Sequence, residues 1–180
     1  MSSFTILDGA MGSELIRRGI ELPEHIWSAA ANLINPELVL EIHREYVAAG
    51  ADYITANTFR ATPRAFGKLD SLVAESVDVN KNLAVLNSRK SLFTAVNLAK
   101  KAASDTVKVV GSIAPLEDCY SPNLSPGKDT SITEFRQLGK WLFDAGADIL
   151  LMETMNSLAE TEAGLIALQY IDLPLWVSFV

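Results

Sequence analysis

The sequence predicts an α/β fold built on a parallel sheet, from three observations. The first is a repeat. Gly50-Ala51-Asp52-Tyr53-Ile54-Thr55-Ala56-Asn57-Thr58-Phe59 returns in kind as Gly146-Ala147-Asp148-Ile149-Leu150-Leu151-Met152-Glu153-Thr154-Met155. Each copy closes an amphipathic helical run with a glycine suited to a left-handed C-cap, then enters a short apolar run that stops at a polar pair. The second observation is the alternation of strand and helix along the whole chain, which argues for parallel strands joined by right-handed crossovers. The third is the set of polar residues at strand exits: Asp8, Asn57-Thr58, Ser112, Glu153-Thr154 and Ser178. A central parallel strand is apolar along its length and meets solvent or ligand at its C-terminal end, so these exits place a site there. A doubly wound open sheet fits the same order, but it concentrates polar groups at one switch point. Polar groups spread over many strand ends favour a parallel (β/α) barrel of TIM type. A full eight-fold barrel typically needs about 250 residues, so the barrel expected here is truncated to about five strands and four helical connections.

Taken in order, Phe4-Thr5-Ile6-Leu7 reads as the first strand, ending at Asp8-Gly9-Ala10-Met11-Gly12-Ser13, where two glycines permit a tight turn. Met11 to Arg18 forms a short helix closed by Gly19, and residues 20–35 form a long loop with helical pieces. Asn35-Pro36-Glu37 opens the next helix with an N-cap, a proline at N1 and an acid in the first turn. The second strand ends at Asn57. Arg60 to Arg64 reads as a basic, proline-broken connection, and a long helical stretch from Leu72 to about Ala103 follows, with an interruption near Asn87-Ser88. Lys108 to Ser112 is the third strand. Leu116 to Thr130 is rich in Pro, Ser and Asp, a loop of the length usually reserved for substrate covers. A helix from Ser131 to Ala145 leads to the strand ending at Glu153. Ser157 then caps a helix running to about Tyr170, with Glu160 completing a capping box, and Leu173 to Phe179 is the fifth strand.

Composition excludes several classes. The chain has 180 residues, is 49% hydrophobic and carries a net charge of −7, with no Lys or Arg run longer than Lys100-Lys101. The size suits one domain with a real core, and the charge does not suit a nucleic-acid binder. Small polar substrates are the expected partners. No apolar run approaches the roughly 20 residues that span a bilayer, no signal peptide is apparent, and the single cysteine, Cys119, suits a reducing compartment. The expected location is the cytoplasm, with no membrane partner.

Four motifs now stand in order along the chain: Asp8-Gly9-Ala10-Met11-Gly12-Ser13-Glu14-Leu15, Gly50-Ala51-Asp52 with Thr55-Ala56-Asn57-Thr58-Phe59, Val110-Gly111-Ser112-Ile113-Ala114-Pro115, and Met152-Glu153-Thr154. Together they resemble the homocysteine S-methyltransferase family. The resemblance makes residues 1–180 the N-terminal portion of a homocysteine-binding (β/α)₈ domain, with no second domain. It implies zinc-dependent transfer of a methyl group to the thiol of homocysteine, giving methionine, with a sulfonium, a quaternary ammonium or a methyl-carrying cofactor as donor. Carried over residue by residue, Asp8 and Glu153 are expected to hold the substrate ammonium, and Asn57 and Thr58 to line the same pocket. The family's zinc cysteines would lie beyond Val180, so zinc is implied while its ligands are absent from this stretch. The alternative is a non-catalytic product that associates with itself or a partner through open sheet edges.

Plainer readings exist for the same residues. Asp8 can cap the helix that starts near Met11. Asn57 and Thr58 can satisfy turn backbone. Glu153, at the end of an apolar strand with no basic residue within three positions, is harder to explain without a ligand. His43 within its helix and His25 in its loop read as packed or surface histidines. Cys119 reads as a loop thiol. Trp27, Trp141 and Trp176 read as packing aromatics.

Overall fold

Four strands pair in the order in which they occur. In the computed structural model, which describes residues 4–70 and 77–180, β1 (Tyr53–Ala56), β2 (Lys108–Ile113), β3 (Ile149–Met155) and β4 (Leu175–Phe179) form one parallel sheet, β1-β2-β3-β4. The order never reverses. A doubly wound sheet reverses at its switch point, so this is the singly wound sheet of a TIM-type barrel, left open. Helices cross between successive strands: α1 (Met11–Arg17), α2 (Ala31–Ile34) and α3 (Pro36–Ala48) precede β1, while α4 (Pro63–Asp70) and α5 (Val77–Ala102) separate β1 from β2. α6 (Lys128–Ala145) and α7 (Leu158–Leu168) make the next two crossings.

The expected first strand is reduced to a single bridge from Leu7 to Tyr53, extended by hydrogen bonds from Asp52 N and Tyr53 N to Ile6 O and from Asp8 N to Tyr53 O. Its register is held by the repeated Gly-Ala-Asp. Asp52 N donates to Ile6 O while Asp52 Oδ2 accepts from Ile6 N at 2.8 Å. Asp148 N donates to Val109 O while Asp148 Oδ2 accepts from Val109 N at 2.7 Å. In both copies the aspartate clasps the start of the preceding strand from both sides. The glycine adopts φ 99° at Gly50 and 93° at Gly146, the left-handed turn that leads from helix to strand.

Side-chain alternation divides each strand between two faces. Ile54 and Ala56, Val109 and Ile113, and Leu150 and Met152 belong to the main core, packed with Leu92, Val96 and Ala99 of α5, Phe135, Leu138 and Leu142 of α6, and Leu168 of α7. Val110, Ile149 and Leu151 form a separate apolar layer with Tyr53 and Trp176 on the other face, where the two rings meet edge to face at 5.0 Å. This is the face that a barrel turns inward. Its next residues toward the C-terminal ends are Thr55, Ser112 and Glu153.

Several local expectations change. Thr62 and Pro63 start α4 where a plain connection was expected: Thr62 Oγ1 accepts from Ala65 N at 3.1 Å, and proline is at ease where a helix has no N–H to lose. α5 runs unbroken through Asn87-Ser88, because Ser88 Oγ turns back to Val85 O at 3.2 Å and leaves the backbone ladder intact. Leu72, the expected start of that helix, lies outside the described residues. α6 begins at Lys128, three residues before the expected Ser131. Asn35 makes no side-chain cap; its carbonyl receives Leu38 N and Val39 N instead. The capping box of α7 is half made. Ser157 Oγ accepts from Glu160 N at 3.3 Å, but the Glu160 carboxylate reaches across to Leu116 N at 2.8 Å and anchors the loop after β2.

Candidate functional site

The C-terminal ends of the strands open into a cleft of about 690 Å³. Asp8, Asn57 and Glu153 line it, as do Thr55 and Ser112. The loop after β2 supplies Asp118, Cys119 and Tyr120. Thr58 does not reach the cleft. It is 2% exposed, and its hydroxyl donates to Ser112 O at 2.7 Å, tying the exit of β1 to β2 beneath the cleft floor.

Both carboxylates of the cleft are positioned by neighbouring strands. Asp8 Oδ2 accepts from Thr55 N and Oδ1 from Thr55 Oγ1, each at 2.8 Å, so the side chain completes the ladder that the short first strand leaves open. It does not cap α1: the N-cap position is Ala10, and no side chain caps it. Burial raises the Asp8 carboxyl to about 6, against the two Thr55 hydrogen bonds and with the help of the negative charge on Glu153. Glu153 Oε2 accepts from Ser112 Oγ at 2.6 Å. Glu153 therefore sits near enough to oppose the ionisation of Asp8, an arrangement that an ammonium group relieves.

Backbone strain surrounds this pair. Thr154 has φ 61° and Trp27 φ 47°, conformations that non-glycine residues rarely adopt, and both residues line the cleft. At Thr154 the register between β3 and β4 shifts between Met152 and Met155, and Thr154 N donates to Ser178 Oγ at 3.1 Å. Such a bulge re-aims side chains at a sheet rim. Here it carries β3 two residues past Glu153. Ser178 thus secures the bulge and does not line the cleft.

Asn57, 4% exposed, is held by a buried amide network. Its Nδ2 donates to Ser28 O and Asn32 Oδ1, both at 2.8 Å, and Asn32 Nδ2 returns to Asn57 O at 2.8 Å and to Ser91 Oγ at 2.9 Å. Both Asn57 amide hydrogens are engaged, so this residue locks the segment carrying Trp27 and Ser28 against the end of β1. Asn32, Ser91 and Trp27 were not legible as site residues. The glycines of the first motif also act differently from expectation. Neither Gly9 nor Gly12 has a positive φ; a Cβ on Gly9 would stand 2.7 Å from Tyr46 Oη, and one on Gly12 2.6 Å from Trp27 Nε1. They are small so that two aromatic rings can approach.

The zinc that the resemblance implies does not fit the donors present. Among the described residues no group of three or more His, Cys, Asp or Glu could hold a metal ion. Cys119 is a free, buried thiol, and both ring nitrogens of His43 are buried without a hydrogen-bond partner among the described residues.

Fold and site together define a (β/α) barrel-type protein with a paired-carboxylate cleft at its strand ends. The family model for homocysteine S-methyltransferase matches residues 5–180. The homocysteine S-methyltransferase of Escherichia coli strain K12 is 32% identical over 170 residues, covering 88% of this chain and 52% of the relative. The Bacillus subtilis strain 168 homocysteine S-methyltransferase YbgG is 29% identical over 182 residues, covering 97% of the chain and 58% of the relative. The crystal structure of the metallated form of the homocysteine methyltransferase MmuM from Escherichia coli superposes with a TM-score of 0.81 at 31% identity, covering 99% of this chain and 64% of that one. The chain belongs to the homocysteine S-methyltransferase family. It spans about half the length of the curated relatives it matches. No helix among the described residues is long and apolar enough to cross a membrane.

Proposed function

We propose that this chain carries the amino-acid-binding half of a site that methylates homocysteine, with Asp8 and Glu153 holding the substrate ammonium. The observation that carries the reading is the pair itself: two partly buried carboxylates in one cleft, one raised to about 6 in part by the other, with no lysine or arginine among the described residues bonded to either. A substrate cation is the missing partner. Asn57 and Thr58 serve this site from beneath, Asn57 by locking the Trp27 segment and Thr58 by tying Ser112, which in turn holds Glu153. In the transfer itself the thiol sulfur forms the new S–CH₃ bond. The donor's bond to its methyl breaks with the electron pair leaving on the donor, and the thiol proton is released. A thiol of pKa near 8.5 is mostly protonated at neutral pH, so activating it is a separate task, and the described residues provide no ligand set for a metal that could do so.

The test is calorimetric binding of L-homocysteine to the 180-residue chain under reducing conditions, with Glu153→Gln as the variant. The expected loss is about tenfold or more in affinity, as for a charge-assisted hydrogen bond made to a neutral isostere. Unchanged affinity in the variant would remove Glu153 from the site. A second reading, association of copies through the sheet edges, is favoured by the exposure of Ile6 at one edge and Phe179 at the other. Concentration-dependent sedimentation is its expected sign, and a single monomeric species at high concentration excludes it.

A further inference from the structure

The strand that carries Glu153 breaks its own alternation at that residue. Ile149 and Leu151 belong to the inner layer, and Leu150 and Met152 to the helix-packed core. A regular strand would continue with Glu153 inward, Thr154 outward and Met155 inward. Instead Glu153 and Thr154 both line the cleft, and Met155 returns to the main core. The pairing explains the change. Met152 pairs with Val177 and Met155 with Phe179, so Glu153 and Thr154 together stand against one residue of β4, Ser178. The two residues form an arch bowed into the cleft, pinned at each foot by a methionine that is 0% exposed. Met152 is seated against Gly164 of α7, where a Cβ would come within 2.1 Å of its Cε. The foot at Met155 is tied to β4 by Val180 N, which donates to Met155 O at 3.1 Å. At the crown Thr154 holds φ 61°, a costly conformation for a β-branched residue, and its N–H donates to Ser178 Oγ at 3.1 Å.

We propose that Ser178 is a positioning residue for the acceptor site: by holding the Thr154 amide it keeps the arch in its strained form, and the arch aims Glu153 toward Asp8. The inference rests on the reading of Asp8 and Glu153 as the ammonium site of the acceptor. Among the described residues the Glu153 carboxylate has one hydrogen bond, from Ser112 Oγ at 2.6 Å. That contact fixes the tip of the side chain and leaves its root to the backbone. A threonine released from its hold leaves φ near 60° for the extended or helical region, and rotation there turns the adjoining peptide of Glu153 with it. Ser178 itself is exposed and lies outside the cleft lining, so its hydroxyl acts on the site through the Thr154 amide.

The experiment uses the 180-residue chain and two readouts: calorimetric affinity for L-homocysteine, and the titration of the Asp8 carboxyl in the unliganded chain, followed by carbon-13 NMR. Of the groups that meet Asp8, Thr55 on β1 hydrogen-bonds to it, Tyr46 on α3 is neutral over the range, and Glu153 on β3 is the one whose charge raises it. Ser178→Ala is expected to lower the Asp8 midpoint in the direction that Glu153→Gln does, and to weaken homocysteine binding about 3–10-fold. Ser178→Thr keeps the hydroxyl and is expected to keep both values. Thr154→Gly adopts the left-handed conformation without strain, so adding Ser178→Ala to it is expected to cost less than in the native chain. A native Asp8 midpoint in Ser178→Ala overturns the proposal, as does an equal cost of Ser178→Ala in the two backgrounds, which would mark a merely structural role. Failure of the native chain to bind homocysteine overturns the ammonium reading alone, because the Asp8 midpoint of the free chain still decides the role of Ser178. Far-ultraviolet circular dichroism of each variant separates a lost aim from a lost fold.

Discussion

Acidification tests the paired-carboxylate site most directly. Asp8 titrates at about 6, chiefly through burial and partly through Glu153. Only its ionised form attracts an ammonium, and the ammonium of homocysteine stays charged across the range concerned. At pH 7.5 Asp8 is nearly all ionised; at pH 5.0 roughly a tenth is, so homocysteine affinity is expected to fall about tenfold between these values. The contribution of Asp8 to the stability of the free chain moves the other way. A carboxyl raised in the fold binds more protons folded than unfolded between its ordinary value and about 6, so its contribution to stability improves as pH falls through that window. Affinity and the Asp8 contribution to stability, read as the native chain against Asp8→Asn, thus change in opposite directions, a signature that general acid damage cannot produce. The assay is calorimetric titration with L-homocysteine at half-unit steps from pH 5.0 to 7.5, on the native chain and on Asp8→Asn. The variant is expected to bind roughly 10–100-fold more weakly at pH 7.5, without the slope that Asp8 contributes. Affinity constant within twofold across the range, or the same slope in Asp8→Asn, would refute the reasoning.

Other outcomes follow from particular contacts. Ser112→Ala removes the 2.6 Å hydrogen bond that aims Glu153, and calorimetry should show homocysteine affinity reduced by about 3–10-fold with the fold retained. Gly12→Ala places a methyl 2.6 Å from Trp27 Nε1; a shifted Trp emission spectrum and weaker ligand binding are expected, and an unaltered spectrum would mean that the ring yields without consequence. His43 is fully buried with neither nitrogen partnered among the described residues, and burial lowers it to about 4. The unfolded chain takes that proton first, so the native chain loses stability as pH falls from 6.5 toward 4. Urea unfolding of His43→Leu should therefore show a gain over the native chain larger at pH 5 than at pH 7 by roughly 2 kcal/mol. Asp148→Asn breaks the 2.8 Å contact with Lys100 and weakens the clasp on Val109 N; a loss of about 1–2 kcal/mol in the same assay at pH 7 is expected, shrinking as acid protonates the native carboxylate.

The sequence by itself determined the class of fold and the end of the sheet at which the cleft opens. Short apolar runs and the repeated Gly-Ala-Asp are local signals: a glycine at φ near 95° and an aspartate beside its own strand act over a few residues, so they can be read without the rest of the molecule. Polar exits located the cleft for the same reason, since a buried strand tolerates Asp8 or Glu153 only at its open end. What each polar residue does there was decided by partners distant in the chain. Thr58 and Asn57 are adjacent and equally polar, yet Thr58 is turned to Ser112 beneath the floor and Asn57 to Ser28 and Asn32. Glu160 has the spacing of a capping box, and a buried amide at Leu116 takes its carboxylate in place of Ser157 N. The first strand has the composition of a strand, but with one neighbour it keeps a single bridge. Arg60 and Arg64 look alike in sequence, and only the packing of α4, α6 and the loop after β2 saturates one and leaves the other with a single long contact to Asp118 among the described residues. Hydrogen bonds and ion pairs act over about 3 Å, so their partners are chosen by which surfaces the crossovers bring together. Periodicity specifies the surfaces, and the assembled sheet selects the pairs.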